Sequence, residues 1–171
     1  MVDTLKRLLT NQYEAALCTL NVCIERCPEQ SWYAPVANLK FCQAAFHTLF
    51  FADLYLAPDE DTFRRQPFHR ENAFFFGDYE ELEDRAQRNL YDKPAISKYL
   101  AYCRGKASDV IGGETAETLA GPAAFGRKFN RAELHVYNIR HIQHHAAQLG
   151  LRLRLDHKID LPWVSSGWRE L

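Results

Sequence analysis

The sequence has little net charge and no long hydrophobic run. Its formal net charge is −1 over 171 residues, so no strong electrostatic field favours nucleic acid or an anionic membrane as a partner. The longest apolar stretch, residues 44–56, is interrupted by His47 and Asp53 and is too short to cross a bilayer. The N-terminus lacks the basic, apolar and small-residue order of a signal peptide. We therefore expect a cytoplasmic protein that binds neither nucleic acid nor a membrane.

The cysteines form no recognisable disulfide framework and no zinc motif. Their number is odd and no two have CxxC spacing. Four of the five lie in segments with helical periodicity, so we expect buried free thiols in a reducing compartment. Cys23 and Cys27 share a helix face, which leaves a metal or redox role open for that pair. The cysteines are Cys18, Cys23, Cys27, Cys42 and Cys103.

Four stretches have the three- and four-residue hydrophobic spacing of amphipathic helices. They cover approximately residues 3–27, 35–56, 94–111 and 130–154. Gly112 and Gly113 are expected to end the third helix, and Asn130 followed by Glu133 predicts an N-cap for the fourth. No stretch alternates like a strand. These features predict an all-α fold, a four-helix bundle, formed by a single domain over residues 1–171.

Two segments outside these helices carry clusters of aromatic residues. Residues 57–77 contain three consecutive phenylalanines and are predicted to form a long irregular crossover that packs these rings over one end of the bundle. A short charged helix is expected over residues 78–90. The tail, residues 156–171, contains Trp163 and Trp168. We expect this tail to fold back across the bundle, because two exposed tryptophans would be costly.

Histidines are concentrated in the fourth predicted helix, where four of the seven lie between positions 135 and 145. Positions four apart on a helix differ by about 40° around the axis and about 6 Å along it. His141 and His145 therefore project from one stripe and can bind a single ion. His144 falls on a wetter side of the helix, and His135 has no histidine three or four residues away. Both are weaker candidates for ligands.

A third ligand is expected from the second helix. His47 is the only histidine there and has phenylalanines around it, and a buried imidazole needs a polar partner. Its stripe can face the fourth helix, which predicts one divalent metal held by His47, His141 and His145. His69 and His157 lie in loop-like segments and are expected at the surface.

Three neutral imidazoles would leave a divalent ion with its full charge and with an open coordination position, as in catalytic metal sites. Zn²⁺ is the first choice, and Ni²⁺, Fe²⁺ and Mn²⁺ stay open because imidazole suits several metals. Such an ion lowers the pKa of a bound thiol or water. Gln148, on the ligand side of the helix, and Arg152, further along a similar azimuth, are candidate contacts for a bound cosubstrate or its anionic group.

The stretch from His141 to Leu149, HIQHHAAQL, resembles the H-x-x-H-H-x-x-Q-L signature of the DinB/YfiT-like superfamily. This is a metal-binding four-helix-bundle family, distinct from the DNA polymerase that shares the DinB name. The family also places one histidine before bulky apolar residues in its second helix, which is similar to the FHTLF segment around His47. The chain departs from the pattern at residues 146–147, where Ala-Ala replaces a frequent Arg-Gly, and at Arg140, where many members have asparagine.

The resemblance implies a metal held by His47, His141 and His145, an up-down-down-up bundle and a homodimer. It also implies a thiol-dependent transferase or isomerase in stress or detoxification, with a low-molecular-weight thiol as cosubstrate. Two other functions stay open. One is a metal-dependent hydrolase, for which the chain has no HExxH glutamate to serve as general base. The other is a non-catalytic metal-binding stress protein.

Overall fold

The computed structural model describes residues 1–76, 82 and 87–170, and this part of the chain is mostly helical. The elements in chain order are α1 (Val2–Arg26), a 3₁₀ turn (Glu29–Ser31), β1 (Pro35–Val36), β2 (Leu39–Lys40), α2 (Phe41–Leu56), α3 (Glu60–Arg65), α4 (Pro67–Glu71), α5 (Ala73–Phe76), α6 (Lys93–Gly113), α7 (Ala116–Ala120) and α8 (Arg131–His157). The predicted all-α fold class is confirmed. No helix among the described residues has both the length and the hydrophobicity needed to cross a membrane.

Four long helices form the core. Each of α1 and α2 packs against both α6 and α8, and the apolar stripe of each helix faces the others. Fully buried residues from all four helices meet in one continuous hydrophobic cluster; examples are Leu20, Leu49, Ile96 and Ile142. The consequence for function is that α2 and α8 lie in direct contact along their length, so polar side chains at the edge of this contact face each other.

The predicted start of α2 at Pro35 is wrong. Residues of β1 pair antiparallel with those of β2, and Ala37 in the turn between them adopts a left-handed φ of 55°. The backbone N–H of Lys40 then donates to Gln43 Oε1 at 3.0 Å, which caps the helix, and α2 begins only after Lys40. Hydrophobic spacing alone cannot distinguish this hairpin from a first helical turn, because apolar residues occur in both.

The predicted irregular structure of the crossover, residues 57–77, is also wrong, since its described part contains α3, α4 and α5. Asp59 Oδ1 accepts a hydrogen bond from the Thr62 backbone N–H at 2.7 Å and so caps α3. Pro67 occupies the first position of α4, where its fixed φ suits a helix. Most of the short helix predicted over residues 78–90 lies outside the described residues, and residues 87–90 are not helical.

The phenylalanines at the end of the crossover behave differently from one another. Phe75 and Phe76 are buried and pack on Phe46 of α2, with ring centroids 6.0 and 6.1 Å away. Phe74 is 68% exposed. The expected aromatic packing is therefore confirmed for two rings and wrong for Phe74, because consecutive residues of a short helix cannot all face the core.

The tail returns to the helices, but only one of its tryptophans packs there. The ring of Trp168 lies under the guanidinium of Arg104, 4.0 Å from the ring centroid, and Val164 is buried against α1. Trp163 is 81% exposed, so the expectation that it covers the core is wrong. Val164 takes the buried position, and the adjacent Trp163 points to solvent.

Two sequence signals mark helix ends in the structure, the glycines at a slightly different position from the expected one and Asn130 at the expected one. Gly112 and Gly113 form the last turn of α6 and do not follow it. Asn130 caps α8 as predicted, since its Oδ1 accepts from the Glu133 backbone N–H at 2.9 Å. The helix then continues to His157, beyond its predicted end.

All five cysteines are buried free thiols, as expected. Burial raises the pKa of Cys23 to about 12 and that of Cys27 to about 11. The thiols of Cys23 and Cys27 are therefore protonated at neutral pH and are poor nucleophiles or metal ligands.

Candidate metal centre

Three histidines converge where α2 and α8 meet. His47 comes from α2, and His141 and His145 come from α8. One ring nitrogen from each lies within 4.8 Å of the other two. The ring centroids are 5.6 Å apart for His47 and His141, 4.8 Å for His47 and His145, and 4.6 Å for His141 and His145. Within the described ranges this is the one group of three or more potential ligand residues at such distances.

Local helical geometry explains this convergence. His141 and His145 stand one turn apart on α8, and His47 occupies the edge of α2 that faces them. Phe51, one turn after His47, lies between the two helices, with its ring centroid 4.9 Å from His47 and 5.7 Å from His141. The ring of Tyr55 continues this wall, 6.2 Å from His141. The imidazoles of His47 and His141 therefore have aromatic carbon on one side.

Burial keeps two of the imidazoles neutral. Burial and, to a smaller extent, the neighbouring imidazoles of His145 and His47 together lower the pKa of His141 to about 3. Burial and the neighbouring His47 likewise lower the pKa of His145 to about 4. Both side chains are therefore uncharged at neutral pH, which is the protonation state that binds a metal.

Gln148 orients one of these imidazoles. His145 Nδ1–H donates to Gln148 Oε1 at 2.9 Å, so the lone pair of His145 lies on Nε2 with the amide in this orientation. The amide nitrogen of Gln148 donates in turn to His144 Nε2 at 3.1 Å. In a metal-binding histidine, the N–H of the second ring nitrogen usually donates a hydrogen bond to such a partner. His144 is exposed. Besides its hydrogen bond with Gln148, its ring lies edge-on to that of His145, with centroids 5.1 Å apart.

A divalent cation fits the residues present. Nδ1 of His141 is buried and has no hydrogen-bond partner among the described residues, and a buried polar atom left in this way costs about 1–3 kcal/mol. Nitrogens bound to one zinc ion at about 2.1 Å lie about 3.4 Å apart in tetrahedral geometry. The three histidines thus need only small side-chain rotations to share an ion. No described carboxylate belongs to the group, so an ion there would keep its full charge.

Arg152 lies apart from these histidines. Its guanidinium donates to Asp156 Oδ1 at 2.7 Å, one turn further along α8, and its side chain borders the hairpin near Pro35. No described contact joins Arg152 to the three histidines. His157, expected at the surface, is partly buried and lies 2.6 Å from Ser31 Oγ.

His69 is not at the surface, and that prediction is wrong. Its side chain is 2% exposed, and its Nε2–H donates to Asp53 Oδ2 at 2.8 Å. The Asp53 carboxylate also accepts from Tyr99 OH at 2.9 Å, from Gln66 Nε2 at 3.0 Å and from Lys106 Nζ. Asp53 in an apolar helix was the available sequence signal, because a buried carboxylate requires partners.

These contacts set the charge state of the Asp53 cluster. Burial alone would raise the pKa of Asp53, but the hydrogen bond from His69 and the positive charge of Lys106 outweigh it and hold that pKa below its ordinary value. Burial lowers the pKa of His69, and Asp53 opposes the shift only in part. The cluster therefore contains an ionised aspartate, a neutral histidine and a charged lysine, and it anchors the crossover to α2 and α6.

His135 is satisfied in a comparable way. It is 1% exposed, its Nε2–H donates to Glu114 Oε1 at 3.0 Å, and Tyr13 OH donates to its Nδ1 at 3.2 Å. Arg131 Nε donates to the same Glu114 oxygen at 2.9 Å. Burial lowers the pKa of His135, with the hydrogen bond to Glu114 opposing that shift. This histidine links α1 and α8 to the residue that follows α6, and its two ring nitrogens are already hydrogen-bonded.

A groove of about 560 Å³ runs along α8 beside the three histidines. We call it the α8 groove, and its lining residues are Tyr137, Arg140, His141, Gln143, His144 and Ala147. His141 belongs to both the groove and the histidine cluster, so a small molecule can approach the cluster from this side. Sequence reasoning did not select Tyr137, Arg140 or Gln143 as functional residues. The available sequence signal for these residues was that they share the more polar side of the fourth helix with His144.

Comparison with known proteins identifies no relative. No protein-family model, curated protein or solved structure matches this chain.

Proposed function

We propose that the protein is a metal-dependent enzyme that activates a low-molecular-weight thiol, in the manner of S-transferases or isomerases. The observation that carries this proposal is the convergence of three ring nitrogens, from His47, His141 and His145, within 4.8 Å of one another. No carboxylate of the described residues belongs to this group. The resemblance of the His141–Leu149 segment to the DinB/YfiT-like signature supports the same function.

Each residue of the site has a distinct role in this proposal. A divalent ion, Zn²⁺ first, would supply Lewis acidity that lowers the pKa of a bound thiol or water toward neutrality. His141 and His145 offer neutral imidazoles because burial depresses their pKa values. Gln148 holds the His145 ring by accepting its Nδ1–H. Phe51 shields one side of the cluster from water, and the α8 groove provides access from another.

We further propose a DinB/YfiT-like four-helix bundle that works as a cytoplasmic homodimer. The packing of α1 and α2 against both α6 and α8 supports the bundle. Five buried thiols without a disulfide are consistent with a reducing compartment. Exposed Leu151 and Leu155 on α8 offer an apolar surface to a second copy, and light scattering of the purified protein tests this state.

The first experiment measures the metal. The protein, purified without a histidine tag, should contain about one divalent ion per chain by elemental analysis, and the metal-free form should bind Zn²⁺ with this stoichiometry. His145→Ala should lose the ion. His157→Ala is the matched control, because His157 contacts Ser31 and not the cluster. Equal metal contents in the two variants would contradict the site.

The second experiment measures the reaction. Zinc-loaded protein is incubated with bromobimane or another electrophile and a panel of small thiols, including glutathione, bacillithiol and mycothiol. We expect metal-dependent conjugation with at least one thiol and none in the metal-free protein. If thiols also perturb the visible spectrum of the cobalt-substituted protein, they reach the metal. Absence of both effects in fully metallated protein would leave a non-catalytic metal-binding protein as the better account.

Hydrolysis is less well supported than thiol transfer. A hydrolase needs a general base beside the reacting water, and no described aspartate or glutamate belongs to the histidine cluster. The neighbouring Gln148 has no basic group. Ester hydrolysis by the zinc-loaded protein in the absence of any thiol would favour a hydrolase over a transferase.

A further inference from the structure

The α8 groove contains groups that attract anions. Among the described residues that line it there is one guanidinium, from Arg140, two imidazoles and no carboxylate. A second guanidinium lies close by, since Arg127 stacks over the ring of Tyr137 at 5.1 Å from the ring centroid. Because the charged side chain that lines this groove is a guanidinium, the groove has a positive potential that concentrates anionic molecules.

Arg140 differs from the other arginines of α8. Arg131 pairs with Glu114, Arg152 with Asp156 and Arg154 with Asp160. Arg140 makes no ion pair and no side-chain hydrogen bond within the part of the chain that the structure describes. Its guanidinium therefore retains its donors for a molecule that enters the groove.

The chemistry of a guanidinium narrows the choice of ligand. Its planar fork matches a carboxylate through two parallel hydrogen bonds. Arg140 precedes His141 directly in the chain, and both side chains line the groove. A small molecule that bonds to Arg140 in this groove can therefore reach His141, a member of the histidine cluster, with its other end.

We propose that the α8 groove selects a carboxylate-bearing small thiol, and that Arg140 is the specificity-determining residue that binds its carboxylate. This inference rests on the proposed function and adds the chemical class of the thiol. The carboxylate is held at Arg140, which directs the thiol group toward His141 and its two neighbours.

The test compares three thiols of similar size and different charge. The probes are 3-mercaptopropionate, 2-mercaptoethanol and cysteamine, and their binding is measured from the visible spectrum of the cobalt-substituted protein. The three thiols differ in intrinsic acidity, so the quantity of interest is the change in their affinity ratio on mutation. For an exposed guanidinium we expect Arg140→Gln to lower the preference for 3-mercaptopropionate over 2-mercaptoethanol about fivefold. Arg140→Lys should restore only part of this preference.

Arg152→Gln is the matched control, since Arg152 is the other arginine of α8 considered for an anionic group. It should leave the ratio unchanged. An unchanged ratio in Arg140→Gln, or a loss of preference in Arg152→Gln alone, would overturn the inference while leaving the proposed function in place. If no thiol perturbs the cobalt spectrum, the proposed function fails instead.

A second measurement does not depend on the metal or on a thiol. Metal-free, ¹⁵N-labelled protein is titrated with propionate, propanol and inorganic phosphate. We expect propionate alone to shift the backbone amide signals of Gln143, His144 and Ala147, and Arg140→Gln to abolish these shifts. Equal shifts with propanol would show that the groove does not recognise the negative charge of propionate. Stronger shifts with phosphate would show that the groove does not prefer a carboxylate. Arg140 is exposed and makes no ion pair or side-chain hydrogen bond with the described residues, so the variant should keep the melting temperature of the parent.

Discussion

Two pairs of histidines in this protein are held in opposite ways. His69 and His135 are almost fully buried, and each donates a hydrogen bond to an ionised carboxylate, Asp53 or Glu114. His141 and His145 are less buried, face other imidazoles, and one buried nitrogen of His141 has no hydrogen-bond partner in the described structure. A carboxylate completes the hydrogen bonding of an imidazole and makes it structural. Imidazoles grouped without a carboxylate keep their lone pairs for a cation.

The largest expected effect separates two of the histidines of α8, His141 and His135. His141→Ala should weaken Zn²⁺ binding about a thousandfold, since loss of even an outer partner of a ligand costs about 10- to 100-fold. His135→Ala should leave zinc stoichiometry and affinity unchanged but destabilise the metal-free fold, because Glu114 loses a buried donor. Zinc titration and urea unfolding of both variants measure this difference. Equal losses of zinc affinity would show that the cluster is not the metal site.

The next prediction concerns Asp53, the carboxylate that accepts the hydrogen bond of His69. Asp53→Asn keeps the shape of the side chain but leaves the charge of Lys106 without its partner, and breaking a buried pair costs about 3–5 kcal/mol. We expect a decrease of about 3 kcal/mol in the free energy of unfolding, measured by urea denaturation, with one zinc still bound per chain. Asp61→Asn, in an exposed pair with Arg65, is the control and should cost less than about 1 kcal/mol. Similar costs for both would contradict a structural role for the Asp53 cluster.

The pH dependence of zinc binding sharpens the contrast further. A histidine with an ordinary pKa near 6.5 is mostly protonated at pH 5.5 and would weaken zinc binding about tenfold, so two would weaken it about a hundredfold. His141 and His145, with pKa values of about 3 and about 4, bind almost no protons at that pH. From these two residues we expect less than about a twofold loss between pH 7.5 and pH 5.5, by chelator competition.

The matched variant for this pH experiment is Phe51→Ala, which removes part of the aromatic wall beside His47 and His141. Admitting water should move the lowered pKa of His141 back toward its ordinary value, because burial is the main cause of the shift. The pH dependence should then become steeper. A steep dependence in the parent protein would instead mean that the two histidines are protonated before the metal binds.

Among the substitutions expected to weaken zinc binding, the smallest effect is predicted for Gln148, whose amide orients His145. Gln148→Ala removes the acceptor of His145 Nδ1–H and should weaken zinc binding about tenfold. Gln148→Glu keeps an acceptor oxygen at that position and should retain the affinity of the parent. Calorimetric zinc titration at one pH distinguishes the variants. Equal affinities in all three proteins would show that the His145 ring is held by α8 packing alone.

The helical architecture follows from hydrophobic spacing, which is a property of neighbouring residues. The periodicity located the four long helices, and Asn130 marked the start of α8 because an N-cap needs only residues three apart. The same local rule put His141 and His145 on one stripe. His47 was selected as the histidine of an apolar helix that needs a partner, and the resemblance to the DinB/YfiT-like signature pointed to the same three residues.

The rest depended on contacts between residues far apart in the chain. His69 is 16 residues from Asp53 and His135 is 21 residues from Glu114, so no local pattern reveals that these histidines are satisfied and buried. The hairpin before α2 and the short helices of the crossover arise where tertiary packing decides between conformations of similar local propensity. Sequence by itself determined the helices and the spacing of the α8 histidines. Only the tertiary structure decided which histidines meet a carboxylate and which meet one another, because that choice depends on which helices are neighbours.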